Sequence, residues 1–222
     1  VKDQSAKKLE DSEIRHIAIE GVIGAGKTSL AHKLAEKLDA RVVLEKFEEN
    51  PFLGKFYDDP DRYAFQTQIF FLLSRYKQLQ ELHQVDLFHQ HLVTDYIFEK
   101  DKIFAYLNLA DDELKLYETL AASIERNLPS PDLVVYIQCS VERLMANIRK
   151  RGRDFEKTIS EQYIRDLNEA YNYFFFRFKG APLLIVNASE IDFVNTKEHF
   201  DDLVREIFRA GKAPVEYYNP VK

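Results

Sequence analysis

The segment Gly21-Val22-Ile23-Gly24-Ala25-Gly26-Lys27-Thr28 carries the most specific chemistry in this 222-residue chain. Its G-x-x-x-x-G-K-[ST] pattern forms a turn whose backbone N–H groups converge on phosphate oxygens, and the positive end of the following helix adds to the same field. Side chains at Gly21, Gly24 or Gly26 would hold the backbone away from the anion. Lys27 would reach the β- and γ-phosphates and Thr28 would hold Mg²⁺ through its hydroxyl, with Ser29 beside them at the helix start. The motif predicts nucleoside triphosphate binding but not the phosphoryl acceptor, because motors, GTPases and kinases share it.

Other residues narrow the acceptor chemistry. Glu45 closes a predicted strand, where a carboxylate points into the crevice above a parallel sheet and can take a proton from an attacking alcohol. The competing reading is a solvated acid, with Glu48 and Glu49 close by. Asp95 ends another predicted strand and suits a magnesium shell, directly or through water. Gln68 carries an amide that both donates and accepts, which fits the edge of a nucleobase. The run Arg149-Lys150-Arg151-Gly152-Arg153 supplies cations suited to closing over a transferring phosphoryl group. In isolation such a run is a solvated basic turn.

These side chains need elements to position them. Runs rich in branched aliphatics at 16–20, 41–45, 91–95, 133–139 and 182–187 predict five strands. Between them lie helical patterns, beginning with Leu30, Leu34 and Leu38 on one face. Alternation of strand and helix predicts a parallel sheet covered on both sides, a three-layer α/β fold. The stretch 61–90 reads as a long helix framing a cleft, with Phe65, Ile69, Leu72, Leu73, Tyr76 and Leu79 as its apolar stripe. The aromatic block 171–178, in a helix opening near Ser160, reads as core or a subunit interface, and the tail after Gly211 as irregular.

Composition sets the outer bounds. Hydrophobic residues make up 45% and charged residues 31%, the mix of an ordinary globule. The size suits a single domain over 1–222, with an ordered core at about 14–210. A formal charge of −6 offers no general attraction for nucleic acid, so no nucleic-acid partner is expected. No apolar run reaches the ~18 residues of a membrane span, and the stretch 1–15 is polar without a secretory core. The single cysteine, Cys139, fits a reducing compartment, and together these features predict a soluble cytoplasmic protein with no membrane partner. Zinc-type Cys/His spacing is absent, and Cys139 on a buried strand reads as packing.

Taken together, Gly-x-Ile-Gly-Ala-Gly-Lys at the loop, Glu45, Tyr57, Gln68, Arg75 and Arg151-Gly152-Arg153-x-x-Glu156 resemble the deoxynucleoside kinases over about 14–210. The resemblance implies a P-loop fold with a helical lid and transfer of the γ-phosphoryl of Mg·ATP to a deoxynucleoside 5′-hydroxyl, with Glu45 as general base. It implies that Gln68 reads the base, Tyr57 and Glu156 grip the sugar 3′-hydroxyl, and Arg75 lies near the base or Glu45. Phe47, Phe71 and Phe65 would offer stacking surface. Arg149, Arg151 and Arg153 resemble the lid, and the loop with Asp192 and Phe193 resembles the donor-base loop. A homodimer is also implied. The short connection from Glu45 to Tyr57 resembles the bacterial purine-preferring branch, favouring deoxyadenosine or deoxyguanosine.

Two departures stand out. After the third strand the family has an acid, then arginine, then serine, whereas here the text is Thr94-Asp95-Tyr96. Lys100, a turn later, is a candidate replacement cation, though lysine offers a point charge where arginine offers a fork. Whether Lys100 or Asp101 takes the base-reading position stays open. In the lid, Asn147 stands where arginine is frequent. A thymidylate-kinase relative is a competing reading, but it places aspartate where Ile23 stands and keeps Asp-Arg-Tyr at strand three. A nucleotide-binding switch is another, which would need no set of Glu45, Tyr57 and Gln68.

Overall fold

The computed structural model describes residues 14–82, 89–125, 128–209 and 213–220. Most of the polar start (1–13), the far end of the expected long helix (83–88) and residues 211–212 of the tail lie outside them. Among the described residues, β1 (His16–Gly21), β2 (Arg41–Val43), β3 (Leu92–Thr94), β4 (Leu133–Gln138), β5 (Leu183–Asn187) and β6 (Val215–Tyr218) form one parallel sheet in the order β2-β3-β1-β4-β5-β6. Ile17, Ala18 and Ile19 of β1 are fully buried at its centre. That is why β1 and β4 read as continuous apolar runs: both faces of a central parallel strand are covered.

The sheet has six strands, not the expected five. β6 lies in the tail that reads as irregular, and it pairs with β5 from Leu183↔Val215 to Val186↔Tyr218. As an edge strand it buries one face only, leaving Val215 and Tyr217 exposed. A four-residue alternating segment lacks the apolar run that marks the inner strands, so its pairing is decided by β5. β2 is also shorter than expected, ending at Val43. Beyond it a side chain takes over from the ladder, because Asp95 accepts a hydrogen bond from the Glu45 backbone N–H at 2.7 Å.

The helices flanking the sheet are α1 (Lys27–Leu38), α2 (Leu53–Asp58), α3 (Pro60–Glu81), α4 (Lys100–Asn108), α5 (Asp111–Ile124), α6 (Val141–Arg151), α7 (Glu161–Arg177) and α8 (Lys197–Ile207). Local chemistry sets their ends. Pro60 opens α3, where its missing N–H costs nothing. Ser140 and Ser160 cap α6 and α7 by accepting from the N–H groups of Arg143 and Tyr163. Gly152, at φ 65°, ends α6.

The inward face of α3 differs from the expected stripe. Ala64, Thr67, Gln68, Leu72, Arg75 and Leu79 are buried, while Leu73 is 54% exposed. Spacings of three and four put Gln68 and Arg75 on the same face as Leu72 and Leu79. Hydropathy alone points elsewhere because half of this face lines a polar cleft. Leu72 and Leu79 join Tyr96, Phe98, Ala105, Tyr117 and Ala121 in a second apolar cluster beside the main sheet core.

Candidate active site

The phosphate loop leaves β1 and opens α1, as its motif predicts. Gly26 has φ 93° at the helix start, and a Cβ on Gly24 (φ 89°) would fall 2.7 Å from the Leu144 carbonyl oxygen of α6. Those two positions need glycine for conformation and for space. Lys27 Nζ donates to the carbonyls of Gly21 at 2.7 Å and Val22 at 3.3 Å, bending back over its own loop. Burial pushes its ammonium down to about 8, Lys100 acting in the same sense and Glu20, Glu45 and Asp95 opposing. Asn147 donates to the Gly24 carbonyl at 2.8 Å. The lid position that carries no arginine therefore ties α6 to the loop.

One cavity of about 870 Å³, counting its open mouth, is lined by Glu45, Phe47, Tyr57, Gln68, Phe71, Arg75, Lys100, Arg151, Arg153 and Glu156. Lys27, Thr28 and Asp95 line the same cavity. Asp95 joins the loop to Glu45, because one oxygen accepts from Thr28 Oγ1 at 2.7 Å and the other from the Glu45 N–H at 2.7 Å. Thr28 and Asp95 thus place two hard oxygen donors together, a set that fits magnesium sharing its shell with phosphates and water. Among the described residues no group of three or more His, Cys, Asp or Glu side chains forms a dedicated metal cage.

Glu45 is held at both oxygens. Arg75 donates to Oε1 from Nε at 2.7 Å and from its terminal nitrogen at 2.5 Å, and Lys100 donates to Oε2 at 2.8 Å. Burial would raise this carboxyl, but the charges and hydrogen bonds of Arg75 and Lys100 override it and hold the group well below the usual carboxylate range. The carboxylate is ionised at neutral pH. Arg75 lies over the Phe71 ring and also donates to Asp101. Asp101 sits behind the wall, fully buried, and its carbonyl accepts from Gln68 Nε2 at 2.8 Å. Lys100 therefore faces the cleft, and Asp101 supports the groups that do.

Arg151 and Arg153 turn toward Glu156 and Phe47. Arg151 forks onto Glu156 at 3.1 and 2.5 Å, and Arg153 stacks on Phe47 at 3.9 Å from its centroid. Tyr57 stacks against Phe155 beside Glu156, and burial raises its phenol well above the ordinary range. Arg149 and Ser29 are exposed, and neither they nor Phe65 lines the cavity. Phe193 packs on the far side of the loop, 3.3 Å from where a Gly26 Cβ would stand, and Asp192 caps its own loop by accepting from the N–H groups of Val194 and Asn195.

Two residues at or behind the site are not marked by any motif. Glu20, fully buried, accepts from the N–H groups of Gly21 at 3.1 Å and Ile97 at 2.9 Å, tying the loop to the segment after β3. Burial raises its carboxyl, opposed by Lys100 and Lys27. A lone acid inside a strand-like run was the available hint. Tyr171 belongs to the aromatic block read as core or interface; its ring does stack on Tyr136, yet it also lines the cavity. Its hydroxyl and that of Thr67, also in the wall, are buried without a hydrogen-bond partner.

The comparisons with known proteins point to one family. The profile of the deoxynucleoside kinase family matches residues 17–210. The chain is 37% identical over 196 residues to a deoxyguanosine kinase of Bacillus subtilis, covering 86% of this chain and 95% of that protein. It is 35% identical over 190 residues to a deoxyadenosine kinase of Dictyostelium discoideum, covering 83% and 75%. The solved structure of deoxyadenosine kinase from M. mycoides with bound dATP superposes with a TM-score of 0.76 at 27% identity, covering 87% of this chain and 98% of that one. With a family profile spanning the phosphate loop, the acid facing it and the lid, the chain belongs to the deoxynucleoside kinase family.

Proposed function

We propose that this enzyme transfers the γ-phosphoryl group of ATP to the 5′-hydroxyl of a purine deoxynucleoside. One observation carries the reading: Asp95 bridges Thr28 of the phosphate loop and the backbone of Glu45, so the anion cradle and the acid share one cavity. The 5′-oxygen bonds to the γ-phosphorus, the bond from phosphorus to the β-γ bridging oxygen breaks, ADP leaves, and the hydroxyl proton passes to Glu45. A strongly depressed carboxyl is a weak base, but a loose phosphoryl-transfer transition state develops little charge on the nucleophile until late. Glu45 then acts chiefly by orienting the hydroxyl and taking the proton as the new bond completes.

The other side chains have matching tasks. Lys27 leaves its loop carbonyls for the phosphate oxygens, and Lys100 adds the cation that Tyr96 cannot supply after Asp95. Gln68 and Arg75 address the base, and Tyr57 with Glu156 addresses the sugar 3′-hydroxyl. The unpartnered hydroxyls of Thr67 and Tyr171 suit a polar ligand in this cavity. Thr28 and Asp95 would hold Mg²⁺, which neutralises phosphate charge when bound. Purine preference is supported by relatives named for deoxyguanosine and deoxyadenosine. A homodimer belongs to the same reading, and exposed Leu73, Leu116 and Leu120 on α3 and α5 offer apolar surface for it. Cytoplasmic placement rests on the lone buried thiol; among the described residues no helix is long and apolar enough to cross a membrane. The test is ADP release from ATP with each deoxynucleoside in turn. Stimulation strongest with deoxyguanosine or deoxyadenosine is expected, and ADP release indifferent to every nucleoside would overturn the proposal.

A further inference from the structure

Behind the cleft wall, one buried residue ties together groups that arrive on separate elements. The Asp101 backbone carbonyl holds Gln68, and one of its carboxylate oxygens accepts from Arg75, which in turn holds Glu45. The other carboxylate oxygen accepts from Tyr117 Oη at 3.0 Å. Tyr117 lies on α5, 1% exposed in the second apolar cluster, and no described residue of α5 lines the cavity. Its hydroxyl bonds Asp101, and through that residue it meets the groups of the cleft wall.

We propose that Tyr117 is a positioning residue for the acceptor: through Asp101 it sets the orientation in which Arg75 and Gln68 meet the nucleoside. A fully buried carboxylate needs donors at both oxygens, because an unsatisfied lone pair of a charged group in this medium is costly. With the phenol in place, the Asp101 carboxylate is pinned from outside the cleft and Arg75 has one direction in which to point. Without it the carboxylate is free to rotate toward Arg75, and the guanidinium shifts with it. Hydrogen bonds in such a buried chain strengthen one another, so the effect reaches groups that Tyr117 does not contact. The phosphate loop is reached through Asp95 rather than Asp101, so the ATP KM is the readout expected to stay put.

This inference rests on the kinase reading, and its test separates the two. Wild type, Tyr117→Phe, Asp101→Asn and the double variant are compared in steady-state kinetics with ATP and a purine deoxynucleoside, alongside thermal melting. Tyr106→Phe serves as control, since its hydroxyl bonds Glu118 on the surface. Tyr117→Phe is expected to raise the nucleoside KM by about tenfold, the scale of one hydrogen bond to a charged group, with the ATP KM unchanged. The double variant is expected to be no worse than Asp101→Asn alone, because Tyr117 acts through that residue. Wild-type kinetics in Tyr117→Phe, equal rises in both KM values with a lowered Tm, or full additivity in the double variant would each overturn the inference. A wild type inert toward every nucleoside would sink the kinase reading and this inference with it.

Discussion

The groups proposed to meet the donor phosphates come from a single stretch, Gly21 to Thr28, whereas those proposed for the acceptor side come from positions scattered between Glu45 and Glu156. The donor side is mostly backbone: N–H groups and a helix end, shaped by glycines at positive φ and by the close approach of Leu144. The acceptor side is mostly side-chain charge, with Arg75 and Lys100 on the two oxygens of Glu45 and Arg151 and Arg153 around Glu156. A backbone cradle keeps its shape when one neighbour is changed, but a charge network does not, because removing one member leaves another ion buried without its partner. The two sides should therefore fail in different ways.

The largest effect is expected on the donor side. Lys27→Ala removes the one side-chain cation of the cradle and should lower kcat/KM for ATP on the order of 10³-fold, the scale of losing a preorganised charge contact. Nucleoside binding measured by calorimetry should be nearly unchanged. Unaltered kinetics in this variant would contradict the phosphate-loop reading. On the other side, Glu45→Gln should cut turnover by roughly 10²-fold or more, as expected of a positioned proton acceptor, while ATP still binds. Near-normal turnover would remove Glu45 from its assigned role.

A smaller and sharper test lies where the two sides meet. Lys100 bonds Glu45 and its charge helps lower Lys27. Lys27 is needed protonated, so in the wild type kcat/KM for ATP, which reports the free enzyme, should fall as pH rises through about 8. Lys100→Met removes a positive neighbour, which favours the charged form of Lys27 and moves that alkaline limb to higher pH. Turnover should fall about tenfold from loss of one cation at the site. An alkaline limb that stays in place would show that the two lysines do not feel each other, and the division into two sides would then be complete. At the acid end Glu45 stays ionised throughout mildly acidic pH, because Arg75 and Lys100 hold it down.

Legibility follows the same division. The phosphate loop, the strand before it and the helix after it are readable because their requirements are local: glycine at strained positions, a lysine at fixed spacing, leucines every fourth residue. Ser140 and Ser160 are readable as caps for the same reason. Glu45 is readable from its place at the end of a strand, Gln68 and Arg75 only through the resemblance to the family, and all three line one cavity. Glu20 and Tyr117 are not readable, since their roles arise from partners at Ile97 and Asp101 that sequence proximity does not reveal. The α3 stripe misleads at Leu73, where hydropathy favours the inside and the cleft claims the opposite face.

By itself, the sequence determined an alternating strand-and-helix chain with an anion cradle at its first turn, because backbone geometry and residue spacing are local constraints. Only the tertiary structure decided that Lys100 and Arg75 share Glu45, that Asn147 latches the lid helix to the loop, and that the tail adds a sixth strand. Each of these depends on which distant groups approach within hydrogen-bond range once the core has packed. A charge or an edge strand has no preferred partner until the fold supplies one.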